Sequence, residues 1–184
     1  TTRGRSVSVI FGDGAGAAVL TRSDHNGQGI LSTHLHSEGK HALELSLKGP
    51  STMHWVPEII EENPQEDIPY YPYMNGQYVF KNAVQRFSEV IMEGLQENGL
   101  EVSDIDMLIP HQANLRISQF IQQKFKLNDD QVFNNIQKYG NTTAASIPIA
   151  LTEAWEQGKI KEGDHVVLAA FGSGFTWASA VINW

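Results

Sequence analysis

The sequence predicts an α/β layered fold, in which strands and helices alternate and the last two strands pair in antiparallel fashion. Apolar residues recur at helical spacing through residues 77–98, and shorter apolar runs bounded by turn residues follow. Two of those runs end in polar turns that lead into helices, which places polar side chains at one edge of the sheet. The final two runs, residues 165–171 and 175–182, are separated by Gly-Ser-Gly, which is typical of a turn.

Residues 1–47 are predicted to be rich in strands. Short apolar runs at residues 7–11 and 17–20 flank a glycine-rich sequence, and alternating patterns follow at residues 29–36 and 41–47. The chain enters its first run without a capping signal, so we expect that it opens in the middle of a domain.

Residues 48–75 differ in composition from the rest of the chain. They hold five of the seven prolines, together with Trp55 and several tyrosines. This composition predicts an irregular loop, which is a candidate lid or pocket wall.

Residues 76–184 are predicted to form an alternating α/β unit. Its first helix, over residues 77–98, stops at Asn98-Gly99. The other predicted elements are strands at 105–109 and 132–136, helices at 114–125 and 142–157, and the two closing strands.

Composition limits the classes of function. At 184 residues and 41% hydrophobic content, the chain suits about one globular domain. A net charge of -8 with 13 Lys and Arg residues argues against a nucleic-acid-binding surface. No apolar run reaches the ~18 residues that span a bilayer and no leader pattern opens the chain, so we expect a cytoplasmic protein. Zero cysteines exclude a disulfide framework, thiolate metal sites and a cysteine nucleophile within this chain.

The glycine-rich sequence at residues 12–17 fits the loose dinucleotide-binding pattern GxGxx[GA]. That pattern holds phosphate at a helix N-terminus, but residues 17–21 continue as a β-type run. We therefore predict a tight turn between strands, in which glycine supplies positive φ, and no nucleotide site.

His34, His36 and His41 lie close together in the sequence, and the first two share one face of a predicted strand. Neither cysteine nor HExxH spacing accompanies them, which disfavours a metal site. We expect histidines that face solvent or a second subunit.

His111 directly follows the apolar run that ends at Pro110, and Asn141 stands in Gly140-Asn-Thr-Thr before an alanine-rich predicted helix. The end of a sheet strand is where α/β proteins place reactive groups. A structural histidine capping the next helix and an asparagine N-cap remain alternatives for these two residues.

Three motifs resemble those of β-ketoacyl-acyl-carrier-protein synthase III, a condensing enzyme of the thiolase fold. They are PHQANxRI at residues 110–117, YGNTxAAS at 139–146 and FGxGFTWxSA at 171–180. The resemblance covers residues 11–184 and implies the C-terminal half of a thiolase-like fold plus the last strands of its N-terminal half. The rest of the enzyme, with its cysteine nucleophile, would lie upstream.

The resemblance implies the chemistry of the site. His111 and Asn141 would donate hydrogen bonds to the thioester carbonyl of malonyl-acyl carrier protein and stabilise the enolate formed on decarboxylation. The turn at Ser173 would give a backbone N–H to an oxyanion hole, with a plain hairpin turn as the alternative. The substrates would be acyl-CoA and malonyl-acyl carrier protein, without a metal or redox cofactor. Positions that match the wall of the pantetheine channel are Met74, Gly76, Phe80, Ala113, Asn114, Ile117 and Phe171.

The resemblance also implies partners. Lys81, Arg116 and Lys124 match basic positions that receive acyl carrier protein, although ordinary solvated side chains would also explain them. Gln123 stands where relatives can have a further lysine. The family builds its site across a homodimer.

Two other functions stay open. A chain without its nucleophile also suits a non-catalytic thiolase-fold subunit that binds a partner. A related acyltransferase could use the same His and Asn for ester formation or head-to-head condensation.

Overall fold

The computed structural model describes residue 7 and residues 9–25, 27–47 and 72–184. Within them the strands are Gly29–Ser37 (β1), Leu45–Ser46 (β2), Tyr73–Met74 (β3), Met107–Pro110 (β4), His165–Gly172 (β5) and Thr176–Asn183 (β6). The α-helices are Gly76–Glu97 (α1), Leu115–Phe125 (α2), Ile136–Tyr139 (α3) and Ser146–Glu156 (α4). Short 3-10 helices are formed by Gly39–His41, Val102–Asp104, Asp129–Gln131 and Thr143–Ala145.

The main sheet has the strand order β1-β6-β5-β4. Strand β4 runs parallel to β5, whereas β6 runs antiparallel to both β5 and β1. The parallel pair brings the carboxyl ends of β4 and β5 to one edge of the sheet. This arrangement confirms the α/β fold with a closing antiparallel pair.

Helices cover both faces of the sheet because successive residues of β4 point in opposite directions. Leu108 belongs to one apolar cluster with α1 and α2, whereas Met107 and Ile109 pack with Ala150 and Ala154 of α4 in another. Each of these five side chains is at most 1% exposed. Burying one aliphatic side chain of the larger kind contributes about 1.5–3 kcal/mol, so the two clusters stabilise a three-layer arrangement.

Helix α1 begins and ends close to the predicted positions. The Asn75 side chain accepts a hydrogen bond from Tyr78 N–H at 3.4 Å, and Gly99 follows the helix with a φ of 66°. Its buried stripe recurs every three or four residues, at Val79, Ala83, Phe87, Val90, Ile91 and Leu95. The stripe packs on β5 and β6, and Val79 in the first turn belongs to the same apolar cluster as Phe171 near the end of β5.

Several predicted strands are not formed as predicted. Residues 17–20 pair with no other described segment, and Val19 and Leu20 are 90% and 77% exposed. Of the predicted strand at 7–11, only Phe11 forms a single bridge, and residue 8 lies outside the described residues. An apolar run does not by itself form a strand, because its backbone N–H and C=O groups also need hydrogen bonds from a neighbouring strand.

Two other strand predictions were too long. Over residues 41–47 only β2 forms, since the 3-10 helix Gly39–His41 occupies the start. Over residues 132–136 only Val132 makes a bridge, because α3 begins at Ile136. The helix predicted from residue 142 begins as a 3-10 turn and becomes α4 at Ser146.

The glycine-rich segment forms no turn and no regular secondary structure, and Gly12, Gly14 and Gly16 do not have positive φ. The glycines instead allow the backbone of this segment to approach neighbouring residues closely. A Cβ atom on Gly12 would lie 2.0 Å from the Tyr139 carbonyl oxygen, and one on Gly16 would lie 2.4 Å from the Pro148 Cβ. The segment therefore lies against α3 and the start of α4.

Most of the predicted irregular loop, residues 48–71, lies outside the described residues. Near its end, Tyr73–Met74 form β3, and the boundary at residue 75 stays a prediction. Among the described residues, no helix combines the length and apolar character required to cross a membrane.

Candidate functional site

A cavity of about 1260 Å³ lies at the carboxyl edge of the sheet. His111 comes directly after β4, and Phe171 and Gly172 end β5 beside it. Asn141 reaches the same wall from the loop before α4. The structure therefore brings together the two residues that the sequence singled out, although 30 positions separate them.

His111 is fixed on both sides. Its backbone N–H donates to the Ala169 carbonyl at 2.7 Å, which extends the pairing of β4 with β5 by one residue. Its ring Nδ1 lies 2.6 Å from the Ser146 Oγ. Burial lowers the pKa of His111 to about 4, because the imidazolium form loses its hydration. The ring is therefore neutral at pH 7.

Asn141 is held through its backbone. Its N–H donates to the Ile10 carbonyl at 3.0 Å, and its carbonyl accepts from Gly12 N–H at 2.9 Å. The side-chain Oδ1 accepts from Thr143 N–H at 2.9 Å. This bond orients the amide and leaves the Nδ2 hydrogens for a ligand.

Gln112 links the two sides of the site, and sequence reasoning missed it. Its Nε2 donates to the Pro110 carbonyl at 2.7 Å and the Phe133 carbonyl at 3.3 Å, and its Oε1 accepts from Asn135 N–H at 3.1 Å. The side chain is buried, so each of these bonds replaces one with water. Gln112 thereby holds the loop after β4 against the segment that leads to Asn141.

Glu153 of α4 anchors that segment from the other side. It accepts hydrogen bonds from Lys138 Nζ and Tyr139 Oη, each at 2.5 Å, and from Asn135 Nδ2 at 2.9 Å. The hydrogen bond from Lys138, with those from Tyr139 and Asn135, lowers the pKa of Glu153 to about 2. Sequence spacing alone gave no signal for this cluster.

Ser173 lies in the short loop between β5 and β6, on the cavity wall. Its Oγ donates to the Leu45 carbonyl at 2.5 Å, which ties the loop to β2. Because β5 and β6 pair in antiparallel fashion up to Gly172 and Thr176, this loop is a hairpin turn. A backbone N–H contribution to an oxyanion hole stays a prediction.

The residues predicted to bind substrate all lie on the cavity wall: Met74, Gly76, Phe80, Ala113, Asn114, Ile117 and Phe171. Asn114 has a second task, because its Oδ1 accepts from Arg116 N–H at 2.9 Å and caps α2. Its Nδ2 hydrogens stay available to orient an amide of the ligand. The roles of these residues remain predictions.

Of the three basic residues, Arg116 lies on the cavity wall, whereas Lys81 and Lys124 are exposed outside it. Arg116 and Lys124 share one face of α2 with Phe120, which is 42% exposed. Phe120 packs edge-on against Phe80 of α1, with ring centroids 6.4 Å apart. Phe120 was not predicted, although its spacing from Arg116 could have indicated it.

Of the three histidines of the first part, His34 and His41 are largely shielded from solvent, with side chains 11% and 12% exposed, whereas His36 is 38% exposed. Contact of these histidines with a second subunit stays a prediction. Glu93 of α1 accepts from His36 Nε2 at 2.6 Å and lies 3.4 Å from His34 Nδ1. His41 instead stacks on Phe175, with centroids 5.0 Å apart. These contacts fasten β1 and the following turn to the core of the chain.

Two family models match the chain. One, described as the 3-oxoacyl-[acyl-carrier-protein] synthase III C-terminal model, matches residues 95–184, and the 3-oxoacyl-[acyl-carrier-protein] synthase III model matches residues 1–39. Curated relatives named β-ketoacyl-[acyl-carrier-protein] synthase III include those of Roseiflexus castenholzii, 44% identical over 181 residues, and Alkalilimnicola ehrlichii, 47% identical over 180 residues. Each match covers 98% of this chain and 53% of the relative, so the chain spans about half the length of these relatives.

Solved structures of the same enzyme class have the same fold. The Aquifex aeolicus synthase III superposes with a TM-score of 0.84 at 40% identity, covering 98% of this chain and 52% of that one. The Thermus thermophilus synthase III gives a TM-score of 0.80 at 37% identity, with 98% and 53% covered. The layered sheet and its carboxyl-edge cavity thus define a thiolase-fold protein. Within that class, the chain belongs to the 3-oxoacyl-[acyl-carrier-protein] synthase III family.

Proposed function

We propose that His111 and Asn141 stabilise the negative charge that forms on a thioester carbonyl oxygen when a malonyl group loses carbon dioxide. The observation that carries the proposal is that one polar atom of each side chain is already engaged, Nδ1 of His111 by Ser146 and Oδ1 of Asn141 by Thr143 N–H. Nε2 and Nδ2 are left for a ligand in the same cavity. Donors fixed before the reaction act best where charge develops.

The reaction is a decarboxylative condensation. The bond between the malonyl carboxylate and its α-carbon breaks, carbon dioxide leaves, and the electron pair becomes an enolate held by the two donors. The α-carbon then attacks the carbonyl carbon of an acyl thioester, and the thiolate leaves. No metal or redox cofactor is needed at any step, since the electrons balance within the substrates.

The substrate class comes from the relatives, which are named 3-oxoacyl-[acyl-carrier-protein] synthase III. We therefore assign an acyl-CoA primer and malonyl-acyl carrier protein, in fatty acid biosynthesis. The mostly apolar wall, including Phe80, Ile117 and Phe171, suits the slender pantetheine arm of both thioesters.

Acyl carrier protein is the partner that the exposed surface of α2 suits. Arg116 and Lys124 flank Phe120 there, and Lys81 adds a third positive charge next to Phe80. In a chain of net charge -8, this local positive surface attracts an acidic helix, and the half-exposed ring offers it an apolar contact.

The nucleophile that carries the acyl primer has to come from outside these residues, because the chain contains no cysteine. The chain alone is therefore expected not to catalyse condensation. The proposal includes a homodimer as the functional unit and the cytoplasm as its location.

Two half-reactions test the assignment in the intact protein that contains this chain. His111→Ala or Asn141→Ala should lower malonyl decarboxylation about 10²-fold or more, the scale for losing a fixed donor. Self-acylation from acyl-CoA should survive in both variants, since it depends on the nucleophile. His25→Ala, which changes an exposed loop histidine, is the matched control. Equal losses in both half-reactions would contradict the assignment.

A second candidate is a non-catalytic thiolase-fold subunit, and the zero cysteine count favours it. It predicts that the intact protein binds acyl carrier protein but takes up no acyl group. Mass spectrometry of the intact protein after incubation with acyl-CoA separates the two candidates, because only the enzyme gains the mass of an acyl group.

A further inference from the structure

Ser146 is the first residue of α4 and is 2% exposed. Its Oγ lies 2.6 Å from Nδ1 of His111 and 3.3 Å from the backbone nitrogen of Gln112. One hydroxyl therefore contacts both residues that follow β4. Sequence motifs gave this serine no role.

The hydrogen bonds of that hydroxyl can be counted. A serine hydroxyl has one hydrogen and two acceptor lone pairs. The backbone N–H of Gln112 can only donate, so it occupies a lone pair. Among the described residues, His111 Nδ1 is the remaining side-chain atom that hydrogen-bonds to the Ser146 Oγ. If Nδ1 carried the ring proton, the buried serine O–H would lack an acceptor, which folded proteins avoid.

We propose that Ser146 is a positioning residue whose O–H donates to Nδ1 and so fixes His111 as the tautomer with its hydrogen on Nε2. Burial keeps the pKa of His111 low and the ring neutral, so that one nitrogen has to be an acceptor. Nε2 forms no hydrogen bond with any described residue, and the ring lies on the cavity wall.

The consequence for catalysis rests on the proposed function. A thioester oxygen that gains charge needs a donor, and only the Nε2–H tautomer supplies one without a net proton transfer. In this scheme Ser146 does not contact the reacting atoms, although it is among the residues on the cavity wall. It acts through the ring, and the same oxygen keeps the Gln112 backbone in place.

Nitrogen-15 NMR of the intact protein, labelled at histidine, tests the tautomer without any substrate. The His111→Gln variant identifies the His111 signals by their loss. At pH 7 we expect a protonated Nε2 and an unprotonated Nδ1 that accepts a hydrogen bond. A proton on Nδ1 would overturn the proposal, whatever any variant does.

Ser146→Ala tests whether the serine causes that state. Ser118→Ala is the control, because Ser118 is also a buried helical serine, yet its Oγ has no hydrogen-bond partner among the described residues. We expect Ser146→Ala to shift the His111 nitrogen signals toward a mixture of tautomers and to lower the kcat of malonyl decarboxylation about tenfold, the scale for removing a group that orients a functional histidine. KM should change little. Ser118→Ala should leave the signals and kcat as in the wild type.

The experiments can contradict the role of Ser146 and the proposed function separately. If Ser146→Ala decarboxylates malonyl thioesters at the wild-type rate and its His111 signals are unchanged, the role of Ser146 is overturned but the proposed function is not. Shifted signals in a protein that never decarboxylates malonyl thioesters would support Ser146 and contradict the proposed function.

Discussion

Gly12 lies so close to Tyr139 that a Cβ atom on Gly12 would be 2.0 Å from the Tyr139 carbonyl oxygen. Around this contact, Gly12 N–H donates to the Asn141 carbonyl at 2.9 Å, and Asn141 N–H donates to the Ile10 carbonyl at 3.0 Å. The backbone of a candidate catalytic residue is therefore held by a segment near the start of the chain. Only glycine leaves room for that approach.

Gly12→Ala should therefore act on Asn141 without touching the cavity wall directly. The added methyl group has to push the two segments apart, and a displacement near 1 Å can cost about 10²-fold in rate. We expect malonyl decarboxylation by the intact protein to fall by about that factor, with a lower midpoint of thermal unfolding. Gly39→Ala is the control, since its Cβ would meet open space. Equal rates for the two variants would contradict the close-packing argument.

His111 should make the stability of the protein depend on pH. Its pKa falls from 6.5 to about 4 on burial, so the unfolded chain binds a proton in that range while the folded chain does not. The folded state is therefore destabilised as pH falls from 6.5 to 4, by about 3 kcal/mol at the lower end. His111→Gln should flatten this part of the curve in denaturant unfolding at a series of pH values. Parallel curves for wild type and variant would show that the histidine is not buried in this way.

Sequence patterns correctly predicted the elements whose apolar residues recur with a clear period or are bordered by clear turn residues. Helix α1 was found because its apolar stripe is long and Asn98-Gly99 ends it, and β5 and β6 because an apolar run without helical spacing borders a glycine turn. The apolar run at residues 17–20 misled the prediction, because strand formation depends on a pairing partner that local sequence does not reveal.

The candidate site was predicted in part. His111 directly follows an apolar run, but His111 and Asn141 were singled out chiefly because the motifs around them, at residues 110–117 and 139–146, resemble those of a known family. Ser146, Gln112 and Glu153 were missed because their importance comes from contacts between segments far apart in the chain. The glycine-rich segment was assigned the wrong physical role, since composition does not distinguish a turn from a close approach.

Charge reversal at Arg116 should separate docking from chemistry. Arg116→Glu should weaken turnover with malonyl-acyl carrier protein and flatten its salt dependence, because charges at a rim mainly change the rate of encounter. Loading from acyl-CoA should be spared. Lys161→Glu makes the same charge change at an exposed residue away from the cavity and should leave both steps unchanged. Equal impairment with a small malonyl thioester would rule out a docking role.

Phe120→Ala tests the apolar part of the same surface. The ring is 42% exposed and makes an edge-on contact with Phe80, so its removal should cost little stability. We expect a higher KM for malonyl-acyl carrier protein, about tenfold, as for an aromatic side chain at the centre of an interface. Titration of the carrier at fixed acyl-CoA measures it. An unchanged KM would show that Phe120 does not contribute to docking and that only the basic residues could.

Residues 1–184 expressed alone should self-associate and show no condensation. Val19 and Leu20 are 90% and 77% exposed, and Trp155 on α4 is 56% exposed, so apolar side chains face water on more than one element. Exposed apolar surface of this kind drives association.

Light scattering should detect oligomers, and the double variant Val19→Asp, Leu20→Asp should form fewer of them if this segment drives the contact. Thr152→Asp is the control, because it introduces an aspartate at an exposed residue with ordinary backbone geometry. Gly27→Asp would not serve as a control, because the φ of 83° at Gly27 would strain an aspartate. A cooperatively folding monomer would contradict the prediction, and condensation by a chain without cysteine would overturn the proposed division of labour.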